Sequence, residues 1–156
     1  MRWAIATQDV VDFIGHNLRE QDADEVRLSD AMGAHEAVTT SWKASLRNER
    51  HQGRECRAII GDDDVPLGLC GVASGGLIWL LATDGLFSSP ANRRQFIREG
   101  KPWVDQCIER YGALSNWVFA KNVDSIRWLK SLGFTVYGPA PRGPSCALFC
   151  YFERRA

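Results

Sequence analysis

Three apolar runs stand close together in the middle of this chain, at residues 56–61, 65–73 and 77–83, and only Asp62-Asp63-Asp64 and Ser74-Gly75-Gly76 separate them. Breaks this short cannot hold the crossover that a parallel pairing needs, so the runs are confined to an antiparallel meander. Everything else must pack around that sheet.

The flanking segments read as follows. Residues 1–6 can form a strand, and residues 8–18 then carry Val10, Val11, Ile14 and Leu18 at helical spacing. Residues 22–29 are polar and fit neither period, residues 35–46 place Ala37, Val38, Trp42 and Leu46 about one turn apart, and the charged residues 47–54 read as a loop. After Phe87, Ser88-Ser89-Pro90 supplies a capping serine and a proline suited to a first helical turn. Phe96, Ile97, Trp103, Val104, Cys107, Ile108 and Tyr111 continue that helix, and Gly100 and Pro102 should bend it. Residues 114–120 return to strand character, Asn122 caps a short helix that Gly133 stops, and residues 135–137 and 146–152 add two strands. The order β-α-α-β-β-β-α-β-α-β-β predicts an α/β (α+β) fold in one domain over residues 1–156. Its mixed, mostly antiparallel sheet should have about six to seven strands, flanked by about four helices.

Apolar residues make up 45% of the chain, enough for a core without staples, and its five cysteines are odd in number and lie in predicted strands or helices. Reduced, buried thiols are the expectation. Nineteen basic and nineteen acidic side chains cancel, which weighs against a nucleic acid or an anionic membrane as partner. The longest uncharged apolar stretch, residues 77–82, is far short of a membrane span, and the expected location is the cytoplasm.

The element order resembles the N-acetyltransferase-like GNAT superfamily, with its central meander, long helix after the fourth strand and fifth strand feeding a short helix. The segment from Ala120 to Phe134 resembles that superfamily's second cofactor motif more specifically, with Asn122, the small Ser125, and Gly133-Phe134 in the motif's places. Narrower likenesses lie in Leu80-Leu81-Ala82-Thr83-Asp84, Arg93-Arg94-Gln95-Phe96, Asn116-Trp117-Val118, Ser125-Ile126-Arg127-Trp128-Leu129 and the run from Asn17 to Val26. These are similar to the acetyltransferase-like internal virion or head-assembly proteins of tailed phages. The resemblance implies a phage or prophage origin, hence a place in the host cytoplasm or the virion. It also implies acetyl-CoA as cofactor with a primary amine as acceptor, or an assembly role without catalysis and with a phage or host protein as partner.

Each candidate residue has a functional and a structural reading. Ser88, Ser89, Arg93 and Arg94 stand where the resemblance puts the coenzyme A pyrophosphate, at a helix start whose N–H groups and dipole favour anions. The same residues can simply start a helix with a solvated face. Asn122 and Ser125 would meet the pantetheine arm, or merely cap a helix. Asp84, at the end of the central strand, is the candidate catalytic base, or one residue of a Thr83-Asp84-Gly85 turn. Glu20 and Asp22 are weaker acidic candidates. His16, His35 and His51 lack metal spacing, and Cys146 and Cys150, about 13 Å apart on one strand, cannot share an ion, so no metal site is expected. Trp79, Trp117 and Trp128 read as core, whereas Trp42 and Trp103 can contact a partner. Two departures from the superfamily matter: the phosphate loop has no glycine, and Leu129 stands where a thiolate-protonating tyrosine often does.

Overall fold

The computed structural model describes residues 1–48 and 56–156. Among these the chain runs β1 (Arg2–Ile5), α1 (Gln8–His16), α2 (Glu20–Asp30), α3 (Ala34–Leu46), β2 (Arg57–Ile60), β3 (Pro66–Ala73), β4 (Leu77–Ala82), α4 (Asp84–Ser88), α5 (Pro90–Tyr111), β5 (Ala113–Phe119), α6 (Val123–Ser131), β6 (Thr135–Arg142) and β7 (Ala147–Arg155). The strands form one sheet in the order β1-β2-β3-β4-β5-β7-β6. The meander is present, with Ala58 opposite Leu69 and Leu69 opposite Leu81.

Side-chain alternation along the meander feeds two cores. Ile59, Cys70, Val72 and Ile78 point to the face covered by α5 and α6, where they meet Phe96, Val104 and Leu129. Ala58, Ile60, Leu69 and Leu81 point to the other face, against Val11, Ile14 and Val38 of α1 and α3. β3 is therefore buried on both sides, and its sequence is apolar without a break from Pro66 to Ala73.

One pairing in the sheet differs from the rest. β4 and β5 are parallel and share a single register pair, Leu77 with Ser115. Ser115 N–H donates to Gly76 O at 3.0 Å, and the Asn116 side-chain amide donates to Ile78 O at 2.9 Å. Beyond that rung the two strands diverge, and a wedge opens toward Ala82 on one side and Phe119 on the other.

Several sequence expectations need correction. Among the described residues there are six helices, where about four were expected. The polar residues 22–29 lie in α2, which is held by its Arg19–Asp22 and Asp22–Ala82 bonds rather than by an apolar stripe. Residues 83–85 do not make a turn; Thr83 precedes α4, a one-turn helix that buries Leu86. β6 extends past Tyr137 to Arg142 through Pro139 and Pro141, which an edge strand tolerates because one row of its N–H groups needs no partner. Cys146 is exposed in the turn before β7, with φ of 52°, while the other four cysteines are buried and all five are free. Trp103 is buried beside Trp3 and is not a surface contact. α5 is one 22-residue helix through Gly100 and Pro102. Of the expected loop at 47–54, residues 49–54 lie outside the described residues, as do His51, Glu49 and Glu55.

Candidate functional site

The wedge between β4 and β5 holds a cluster of the chain's own polar side chains. Arg19, Asp22 and Asn122 are 2%, 3% and 1% exposed. Such groups are tolerated inside when paired, and these are, except for the Arg19 Nε, which has no hydrogen-bond partner. Arg19 forms an ion pair with Asp22 at 2.8 Å. It also donates to Asn122 Oδ1 at 3.1 Å and to Ser125 Oγ at 2.7 Å, and its guanidinium lies 4.1 Å over the Phe87 ring. Asn122 caps α6 through its Oδ1, which accepts from Ser125 N–H at 3.5 Å, while its Nδ2 donates to Asp22 at 3.2 Å and to Glu25 at 2.9 Å.

The same cluster closes the free end of β4. Ala82 N–H donates to Asp22 Oδ2 at 2.9 Å, and Ala82 C=O accepts from Arg19 N–H at 2.9 Å. Both backbone groups of the last β4 residue are thus taken by the start of α2. A ligand pairing with β4 at this point would have to displace α2.

One guanidinium serves two carboxylates, and the charges settle accordingly. Burial drives the pKa of Asp22 upward, opposed chiefly by Arg19 and then by the Ala82 N–H. Burial raises Glu25 from 4.5 to about 7, and the Asp22 charge pushes the same way, against hydrogen bonds from Asn122 and the Phe119 N–H. Glu25 is therefore poised to exchange a proton near neutrality.

Two cavities flank the cluster. One, of about 160 Å³, lies in the wedge and is lined by Glu25, Asn116, Ser125, Trp128 and Arg142 among others. The second, of about 300 Å³, lies at the start of α5, with Phe87, Ile97 and Trp128 as its floor and Arg93, Arg94 and Arg127 around it. Trp128 lines both. Arg19 stands between them, bonded to Ser125 of the first and lying over Phe87 of the second.

The sequence-derived candidates divide accordingly. Asn122 and Ser125 come together in the wedge, joined by Asp22, while Arg93 and Arg94 lie on the first turns of α5 beside the second cavity. Ser89 caps α5, its Oγ accepting from Asn92 N–H at 3.2 Å. Ser88 is exposed at the end of α4, and Asp84 is exposed at its start; neither lines either cavity. Glu20 is exposed. His16 and His35 stack at 4.8 Å, with His35 Nε2 2.7 Å from Asp12, away from the wedge. Among the described residues no group of His, Cys, Asp and Glu is arranged to hold a metal ion. Arg19 and Glu25 are the residues that sequence reading missed. The available signal was their spacing of three with Asp22, which sets the charges on one helical face.

The fold matches known structures over its whole length. Ribosomal-protein-alanine N-acetyltransferase from Brucella melitensis superposes with a TM-score of 0.67 at 13% identity, covering all of both chains. A GNAT superfamily phosphinothricin acetyltransferase from Sinorhizobium meliloti, solved with AcCoA, gives 0.65 at 14% identity, covering 99% of this chain and 87% of that one. Spermidine N-acetyltransferase from Vibrio cholerae, in complex with CoA and spermine, gives 0.61 at 9% identity, covering 99% and 94%. At such identities the likeness establishes the GNAT fold and nothing finer. No curated protein sequence matches the chain. A family model does match, over residues 58–138, from β2 into β6, which takes in both strands of the wedge but not α2. That stretch is more than half of the 156 residues, and the family is described as bacteriophage T7, probable scaffold protein Gp13; the chain belongs to it.

Proposed function

We propose that this chain is an assembly protein of a tailed phage, in which the GNAT fold serves as a rigid body for holding other proteins and the place of an acyl-CoA has been filled from within. One observation carries the reading: both hydrogen-bonding groups of Ala82, at the open end of β4, are used by Arg19 and Asp22. An acyltransferase of this architecture would need that backbone free to meet the cofactor and polarise its thioester carbonyl. The helix start beyond it supports the same view. Pro90 has no N–H, and Asn92 and Arg93 already donate to Ser89, so α5 offers a diphosphate few backbone amides.

Thermal unfolding with and without excess acetyl-CoA tests this. No change in the midpoint is expected, whereas a bound ligand at a hundred times its dissociation constant stabilises by about 2.7 kcal/mol. A shift of that size overturns the proposal.

Glu25 favours a second reading. A carboxyl poised at about 7 beside an open cavity has the properties of a general base. In that reading acetyl passes from acetyl-CoA to a primary amine, with Ser88, Ser89, Arg93, Arg94, Asn122 and Ser125 around the cofactor. Glu25 or Asp84 then takes the amine proton. Steady-state acetylation of spermine by the wild type, lost in Glu25→Gln and kept in Asp84→Asn, would establish this reading with Glu25 as the base.

A further inference from the structure

The α5 cavity has features that the wedge cluster does not explain. Its floor is apolar, built from Phe87, Ile97 and Trp128, and its volume of about 300 Å³ is sufficient for one large side chain and its backbone. Three arginines stand around it, Arg93, Arg94 and Arg127, against the single carboxylate of Asp124. None of the three has an ion-pair partner among the described residues, whereas Arg2, Arg19, Arg27, Arg154 and Arg155 all do. The indole N–H of Trp128 is a further loose end. The side chain is 7% exposed and its Nε1 has no hydrogen-bond partner, although buried indole donors normally find one.

Unpaired cations and an empty apolar floor lie together, and they ask for two things of one ligand: negative charge and apolar bulk. We infer that this cavity is the docking site for an acidic peptide segment of a partner protein, with an aromatic or large aliphatic side chain on the floor and flanking carboxylates on Arg93, Arg94 and Arg127. Carboxylates suit the site because guanidinium forks pair with them in two-pronged fashion. The proposal rests on the assembly reading, for which it names the class of partner.

Fluorescence anisotropy with a labelled Glu-Asp-Phe-Glu-Asp peptide provides the test. The wild type should bind it in a salt-dependent manner. Binding should weaken on replacing Phe by Ser in the peptide, and should fall about tenfold or more in Arg94→Glu combined with Arg127→Glu, because two ion pairs are lost and reversal adds repulsion. Both arginines are exposed, so the variant should unfold at the wild-type temperature. Equal binding by wild type and variant overturns the inference, as does no binding by the wild type. Displacement of the peptide by inorganic pyrophosphate at lower concentration than by free glutamate assigns the cavity to phosphates and also overturns it. A dimer in sedimentation that the variant abolishes would instead make a second copy the occupant. The acetyl-CoA melting experiment is independent: failure of peptide binding without a cofactor shift removes this inference alone, whereas a cofactor shift removes the assembly reading beneath it.

Discussion

Glu25→Gln should make the protein more stable above neutral pH and leave it unchanged in acid. In the wild type Glu25 keeps its proton in the folded state up to about pH 7, against 4.5 ordinarily. A carboxyl raised in this way contributes stability that is complete below about 4.5 and is lost as pH climbs through about 7. At about 1.4 kcal/mol per pH unit the loss is at most about 3 kcal/mol by pH 8, a ceiling because solvent entering the wedge cavity reduces the penalty on the charge. Glutamine keeps the neutral shape and still offers a carbonyl to the Asn122 amide and the Phe119 N–H. It also removes the like charge that burdens Asp22. Urea unfolding of both proteins from pH 4 to 8 is the assay. The two stability curves should meet near pH 4.5 and separate steadily up to about pH 8, with the variant above; in melting temperature the gap is up to about 6–12 °C for a chain of this size. Parallel curves would refute the reasoning, because they would mean that Glu25 ionises in the native state as freely as in the unfolded chain.

Other perturbations follow from the same coordinates. Arg19→Met leaves two carboxylates in the wedge without their cation and should cost about 3–5 kcal/mol at neutral pH, less at pH 5, by urea titration; unchanged stability would mean that α2 is not seated on β4 in solution. Gly76→Ala should destabilise by about 1–3 kcal/mol, because Gly76 has φ of 76° and a Cβ there would run into the Ala113 carbonyl beside the single β4–β5 rung. Iodoacetamide on the native protein should label Cys146 rapidly and the others slowly, since burial raises the Cys56 and Cys107 thiols to about 12 and Cys70 well above its ordinary value. Mass spectrometry showing fast labelling of Cys107 would contradict the packing of α5 on the sheet.

The parts of the fold that sequence reading recovered are those whose burial imposes a period. β2, β3 and β4 are apolar and separated by acidic or glycine turns, and α1, α3 and α5 repeat apolar residues each turn, so their patterns survive without tertiary context. α2 and α4 were not recovered, for a shared reason. α2 is held on the sheet by charged side chains whose partners lie about sixty and a hundred residues away, at Ala82 and Asn122, and its residues look like those of a solvated loop until those partners are in place. α4 is a single turn whose apolar content is Leu86 and Phe87, too short to show a period. In the candidate site, Asn122 and Ser125 could be found because a cap has a local signature; Arg19 and Glu25 offered only their spacing of three with Asp22, which takes on meaning once the distant Asn122 is in place beside them.

The wedge makes a demand on the chain that its own side chains meet. Parallel strands that separate after one rung leave N–H and C=O groups without a neighbouring strand, and each such group, if buried and unpaired, costs about 1–3 kcal/mol. In a cofactor-dependent protein of this shape the ligand can meet that need, which leaves the empty form less stable and the slot accessible. Here α2 meets it: Arg19 and Asp22 cap Ala82, the Phe119 N–H reaches Glu25, and Asn122 ties the two carboxylates to α6. The end of β4 is then satisfied by the chain's own side chains, as the proposed assembly role requires. The cost falls on the surplus carboxylate Glu25, raised to about 7, and through it pH should act on this protein.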